Sequence, residues 1–250
     1  MAVEDQPGAL PDTASAPEAR PEIHHDHRDV TGGWLRPAVF GAMDGLVSNF
    51  ALVSGVSGGG AAPRVVALTG FAGLVAGAFS MATGEYTSVA SQTEVAQAEI
   101  AVERAEILRA PEAEQAELAA VYRARGVEPK LAREVARQLS ADPERAVQIH
   151  AREELGLDPD DLPSPYVAAG SSFAAFAVGA LVPLLPYLLG GRTLLWPLLL
   201  SMLALFGSGA LVARFTGRSA IYSGSRQLVL GGLAAGVTFL IGSLIGTRIS

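Results

Sequence analysis

The sequence predicts an all-α membrane protein, with five transmembrane helices and a cytoplasmic helical metal-binding subdomain inserted between helices 2 and 3. Half of the 250 residues are hydrophobic and only 17% are charged, which is typical of a polytopic membrane protein. Five apolar runs recur along the chain, each about as long as a helix that crosses a roughly 30 Å hydrocarbon core. The second and third runs are separated by a strongly charged segment.

The chain divides into four consecutive regions. Residues 1–31, rich in proline, alanine and acidic residues, are expected to form a disordered cytoplasmic tail without a secretory leader. Residues 32–93 hold two spans, near 34–57 and 64–90. Residues 94–161 form an acidic insert of three to four helices, and residues 162–250 hold three spans, near 166–190, 193–215 and 221–247.

Helix signals within the insert are local and clear. Nothing between Thr87 and Ala110 breaks a helix, so the second span is expected to continue into the insert. Pro111 and Pro129 each begin a further helix, and Asp142 caps the last one. The insert contains 16 acidic and nine basic residues.

Arginines set the predicted orientation. The nine basic residues of the insert fall on the same side as Arg28, Arg36, Arg214 and Arg218, leaving Arg64, Arg192 and Arg248 opposite. The positive-inside rule therefore places the N-terminus and the insert in the cytoplasm and the C-terminus on the other side of a cell membrane.

Asp44 is a candidate transport residue because it interrupts the first apolar run. An ionisable side chain at membrane depth is costly unless it faces a wet cavity or a partner, which favours a cation path. The alternative is that Asp44 lies near the cytoplasmic interface and caps or pairs there.

Met81 and Glu85 lie one turn apart on one face of the second span, continuing a stripe with Gly73 and Gly77 that permits close helix packing. A thioether beside carboxylates suits a borderline ion such as Fe²⁺ better than Mg²⁺ or Ca²⁺. The alternative is that Met81 only packs.

The insert offers a second set of candidate metal ligands on three helices, at helical spacing within each. About 33 Å of helix separates Met81 from Glu103, so these carboxylates are expected to stand clear of the membrane. The alternative is an ordinary solvated face whose carboxylates pair with Arg104, Arg109, Arg123 or Arg152. The candidates are Glu99, Glu103, Glu106, Glu114, Glu117, His150, Glu153 and Glu154. The N-terminal histidines His24, His25 and His27 are treated as peripheral.

The sequence excludes several functions. It has no cysteine, hence no thiol catalysis or thiolate metal site. It has no phosphate-binding loop and its one lysine is Lys130, which argues against ATP-driven pumping.

A ferritin-style di-iron oxidase would need two Glu-x-x-His pairs, whereas Val147 stands three residues before His150, so we expect no enzyme. A non-transporting metal sensor or scaffold is the remaining alternative, although it leaves Asp44 unexplained.

Three blocks resemble the vacuolar iron transporter family, in a bacterial version: "FGAMDGLVSNFALVSGV", "GAFSMATGEYTSVASQTE" and, closing the insert, "HAREELGL". The resemblance runs from about Gly32 to the C-terminus. It implies a homodimer that exports Fe²⁺, and often Mn²⁺, from the cytosol in exchange for protons. It also implies no permanent cofactor, and the lipid bilayer but no nucleic acid as partner.

The same resemblance assigns roles to residues. Asp44 and Met81 match transport-path residues between the protomers, with Glu85 close by. The matches to cytoplasmic metal ligands are Glu103, Glu106, Glu114, Glu117 and Glu154. His150 stands where a plant member has a methionine ligand, whereas Glu99 has no clear counterpart.

Overall fold

The computed structural model describes residues 33–249, except for the side chains of residues 215, 248 and 249. All secondary structure in this range is helical, and five of its helices are long and apolar enough to cross a membrane. The predicted all-α fold with five candidate membrane-spanning helices is therefore confirmed. The N-terminal tail and its histidines lie outside the described residues.

The eight helices in the described range follow the predicted order closely. The five apolar helices are α1 (Leu35–Gly58), α2 (Pro63–Arg109), α6 (Pro165–Leu188), α7 (Leu195–Thr216) and α8 (Ala220–Ile249). The insert supplies α3 (Pro111–Ala124), α4 (Pro129–Leu139) and α5 (Pro143–Glu153).

Local signals explain the helix starts in the insert. Pro111, Pro129 and Pro143 each occupy the first helical position, where the missing N–H costs nothing. The Asp142 side chain accepts a hydrogen bond from the backbone N–H of Glu144 at 3.0 Å, and Glu128 caps α4 in the same way through the N–H of Leu131.

Helix α2 has 47 residues and is about 70 Å long at 1.5 Å per residue. Its continuity past Thr87 confirms the absence of a break between the second span and the insert. Near the junction, the Thr93 hydroxyl donates to the Pro163 carbonyl at 3.1 Å. This bond ties α2 to the linker that returns the chain from the insert to α6.

The membrane helices form a bundle centred on α1, which packs on α6, α8, α2 and α7. Glycines allow the backbones to approach closely: a Cβ on Gly179 of α6 would lie 2.1 Å from the Ala42 carbonyl oxygen of α1. Gly242 of α8 lies against the Gly55 carbonyl of α1 in the same way. Gly242 therefore serves packing within the protomer, although small residues at this position are equally suited to dimer contacts.

The insert packs along the distal part of α2. Ile107 of α2 forms one apolar cluster with Ala146 and Val147 of α5. Leu118 and Ala119 of α3 form another with Ala136 of α4. Helices α3 and α5 are thereby held beside the part of α2 that carries its glutamates.

Candidate metal-binding sites

A cavity of about 380 Å³ lies between α1, α2 and α6. Asp44 and Met81 both line it, together with Ser48, Asn49, Leu52, Gly73, Gly77, Ser80 and Phe176. The stripe on α2 predicted from Gly73, Gly77 and Met81 thus faces one space. The two glycines make room for side chains of neighbouring helices and not for a helix backbone. A Cβ at Gly73 would lie 2.4 Å from Leu52, and a Cβ at Gly77 would lie 2.2 Å from Phe176.

Asp44 is far from either end of its helix. It lies nine residues after Leu35, about 14 Å along an α1 that is about 36 Å long. Its side chain is exposed at the open side of the cavity, and no ion pair to it occurs within residues 33–249. This position does not favour the alternative in which Asp44 caps or pairs at the interface.

Met81 is partly buried against Phe176 and its apolar neighbours, so it packs and lines the cavity at once. Glu85, one turn further along α2, is half-buried and is not among the residues that line the cavity. The structure therefore brings Asp44 and Met81 to one space and leaves Glu85 outside it.

Glu103, His150 and Glu154 form a second candidate site, in the insert. Each offers one ligand atom, and these atoms lie within 4.8 Å of one another. His150 Nδ1 is 2.9 Å from an oxygen of Glu103 and 2.9 Å from an oxygen of Glu154. The imidazole is fully buried, and the Glu103 side chain is only 10% exposed.

Hydrogen bonding does not account for this convergence. Neither nitrogen of His150 has a partner with hydrogen-bond geometry in the described part of the chain, and Glu103 Oε1 has none either. Buried polar atoms are normally hydrogen-bonded. His150 Nδ1 and the nearby oxygens of Glu103 and Glu154 are donor atoms of types that bind divalent metals, and they converge on one position.

Three further predicted glutamates surround this trio. Burial raises the pKa of Glu103 above its usual range; repulsion from Glu154, Glu114 and Glu106 adds to the shift, whereas His150 opposes it. Burial likewise raises the pKa of Glu114, and repulsion from Glu117 adds most to that shift. For Glu154, burial again raises the pKa, with His150 opposing and with Glu117 and Glu106 adding to it.

Two predicted ligands do not join the cluster. Glu153 forms an ion pair with Arg125 and accepts a hydrogen bond from the Tyr122 hydroxyl at 3.2 Å. Glu99 is exposed, one turn before Glu103 on α2. We define the acidic cluster as Glu103, Glu106, Glu114, Glu117, His150 and Glu154.

Arginines do not neutralise the acidic cluster. Arg104 forms an ion pair with Glu144, and Arg152 with Asp158 and Asp160. Within residues 33–249, no ion pair joins a cluster carboxylate to an arginine or to the lysine. The alternative of paired surface charges therefore describes Glu153. The carboxylates of the acidic cluster lack such arginine partners, although Glu106 and Glu117 are exposed, as on a solvated face.

The comparison with known proteins agrees with this geometry. A family model described as the VIT family matches residues 35–243. The chain belongs to the VIT family. The vacuolar iron transporter of Acanthamoeba castellanii is 40% identical over 225 residues, covering 87% of this chain and 80% of the relative.

Plant relatives match even more of this VIT-family protein, at lower identity. Vacuolar iron transporter 1 of Oryza sativa subsp. japonica is 31% identical over 99% of this chain and 100% of its own length. Its Arabidopsis thaliana counterpart is 30% identical over 89% of this chain and 90% of its own length. These names describe transporters, in agreement with the prediction that the chain is not an enzyme. These relatives come from an amoeba and from plants, so they give no support to the expected bacterial version of the family.

Asn49, Ser48 and Ser80 line the cavity but were not among the predicted site residues. The sequence carries a usable signal for two of them, because Ser48 and Asn49 are polar residues about one helical turn from Asp44 in an apolar run. Phe176 had no such signal, since its place at the cavity depends on how α6 packs.

Proposed function

We propose that this VIT-family protein moves Fe²⁺, and also Mn²⁺, out of the cytosol in exchange for protons. The observation that carries the proposal is the single cavity, within the membrane helices, that both Asp44 and Met81 line. A carboxylate and a thioether together suit a borderline divalent ion, and the relatives are named as iron transporters.

In this proposal the acidic cluster gathers the ion before it enters the membrane. Arginines on the insert support a cytoplasmic location by the positive-inside rule. We place the protein in the cell membrane with its C-terminus outside the cytosol. The relatives' names refer to the vacuole, and an insert that faces the cytosol gives the same direction of transport in either membrane.

Proton exchange follows from the chemistry of the ligands. Carboxylates and imidazole bind either a metal ion or protons, so metal binding releases protons and acid releases metal. The raised pKa values of Glu103, Glu114 and Glu154 bring this competition closer to neutral pH. Protons from the far side would displace the ion from Asp44 by the same competition.

A homodimer would complete the transport path. Asp44 is exposed at the open side of its cavity, and a carboxylate that faces hydrocarbon at this depth costs several kcal/mol. A second copy covering the open side of the cavity would remove the carboxylate from lipid.

Metal flux into proteoliposomes under an imposed pH gradient tests the proposal. We expect Fe²⁺ uptake that depends on the gradient and that falls at least tenfold in Asp44→Asn and Met81→Ala, on the order of the loss expected for a metal-site residue. Gly84→Ala is the matched control on α2, because a Cβ there meets nothing within 4 Å. Unchanged flux in both cavity variants would refute the path, and metal binding without flux would favour the sensor.

A further inference from the structure

The amide of Asn49 is buried in the wall of the membrane cavity. The residue is 2% exposed and lies five positions after Asp44 on α1. Its side-chain nitrogen Nδ2 donates a hydrogen bond to the Ala180 carbonyl oxygen of α6 at 2.6 Å. Its oxygen Oδ1 is buried and has no hydrogen-bond partner among the described residues.

The hydrogen bond to Ala180 fixes which end of the amide faces the cavity. A carbonyl oxygen is an acceptor only, so a flipped amide would set two acceptors against each other and lose the bond. Oδ1 is therefore held toward α2, where a Cβ on Gly73 would lie 3.2 Å from it. Gly73 has no side chain, and the oxygen faces a glycine that lines the same cavity as Asp44 and Met81.

Leu52 shares the space at Gly73 with this oxygen. A Cβ at Gly73 would lie 2.4 Å from a terminal methyl carbon of Leu52, so the leucine occupies the space in front of the same glycine. A change of its rotamer, with no movement of the backbone, would open Oδ1 to the cavity.

We propose that Asn49 supplies a third, neutral oxygen ligand to the ion that passes between Asp44 and Met81. A buried amide oxygen without a partner is unfavourable, and a cation that reaches it would satisfy it. An amide carbonyl is a hard ligand, so its contribution favours Mn²⁺ over softer ions relative to a site made of carboxylate and thioether alone. This inference rests on the proposed transport function.

The competing explanation is that Asn49 only ties α1 to α6. Thr238 provides a matched control for that role, because the nearest acceptor of its hydroxyl is the Ala51 carbonyl of α1 at 2.8 Å, ahead of two carbonyls of its own helix at 3.0 Å. It is not among the residues that line the cavity. Thr238→Val should therefore remove an interhelical hydrogen bond without touching the proposed ligand set.

The experiment compares Fe²⁺ and Mn²⁺ uptake into proteoliposomes for the wild type, Asn49→Ala, Asn49→Asp and Thr238→Val. We expect Asn49→Ala to raise KM for Mn²⁺ about tenfold, the scale of effect seen when a metal site loses one supporting group, and to lower the ratio of Mn²⁺ to Fe²⁺ uptake. Asn49→Asp loses the hydrogen bond to the Ala180 carbonyl, as Asn49→Ala does, but it keeps an oxygen and adds charge, so it should raise that ratio. Thr238→Val should leave both quantities unchanged.

The outcomes separate the two levels of the proposal. If the wild type shows no metal uptake, the proposed function itself fails. If the wild type transports but both Asn49 variants keep its ratio and its KM, with losses only in maximal rate as in Thr238→Val, then Asn49 is a structural tie and the inference is wrong. The two variants shift the ratio in opposite directions, so either one that folds is sufficient for the test.

Discussion

Glu153 and Glu154 are neighbours in the sequence, yet their carboxylates have different partners. Glu153 turns to Arg125 and Tyr122, whereas Glu154 approaches Nδ1 of His150 at 2.9 Å. Successive residues at the end of a helix point about 100° apart, so only one of them can face the acidic cluster. The pair therefore gives an internal comparison between a proposed metal ligand and an ordinary ion-pair partner.

Replacing each glutamate by glutamine tests this difference. Glu154→Gln removes a charged ligand and should weaken binding of Mn²⁺ to the purified protein roughly tenfold or more. Glu153→Gln should leave the affinity unchanged, with a stability loss below about 1 kcal/mol because its ion pair is partly exposed. Isothermal titration and thermal unfolding measure the two effects. Equal weakening of metal binding in both variants would contradict the assignment of the cluster.

At the scale of elements, α2 joins the membrane cavity and the acidic cluster in one helix. The sequence was sufficient to predict its continuity, because a helix continues where no breaker interrupts it. The starts of α3, α4 and α5 were equally predictable, since Pro111, Pro129 and Asp142 act through their own backbone neighbours.

The sequence could not show which acidic side chains would meet. Glu99 and Glu103 share a stripe on α2, but only Glu103 is covered by α5, through packing around Ile107, Ala146 and Val147. Glu85 shares a face with Met81, yet the cavity ends before it. Such differences depend on contacts between helices distant in sequence, whereas periodicity reports only which face a residue occupies.

Acidification and metal binding should each stabilise the insert. The pKa values of Glu103, Glu114 and Glu154 are raised above the ordinary 4.5 in the folded state, so the folded insert binds more protons than the unfolded chain. Without metal, its stability should therefore rise as the pH falls from 7 toward about 5. At pH 7 a divalent ion should relieve the same repulsion and stabilise the insert.

Hydrogen exchange followed by mass spectrometry measures this response in peptides of α5. Protection, corrected for the intrinsic exchange rate, should increase on acidification of the metal-free protein and on addition of Mn²⁺ at pH 7. The increase caused by Mn²⁺ should be smaller at pH 5, because protons compete for the ligands. An equal effect of Mn²⁺ on protection at both pH values would show that the carboxylates with raised pKa values do not bind the ion.

At the scale of the whole molecule, the open side of the membrane cavity determines the expected assembly. Asp44 and Ser80 are exposed there, whereas the far side of α8 presents side chains such as Leu240, which is 61% exposed. Lipid can cover an aliphatic surface at no cost, but it cannot solvate a carboxylate. A second copy is therefore expected at the cavity and not at the outer face of α8.

Single cysteines can test this arrangement directly, because the sequence contains no cysteine. In membranes treated with a short bifunctional maleimide, Ser80→Cys should give a covalent dimer, since two copies of this position would meet across the interface. Leu240→Cys is the matched control and should remain monomeric, although a monofunctional maleimide must label it equally well. If Leu240→Cys formed the dimer and Ser80→Cys did not, the second copy would lie against α8. Asp44 would then need another partner at membrane depth, and a transport path between protomers would be wrong.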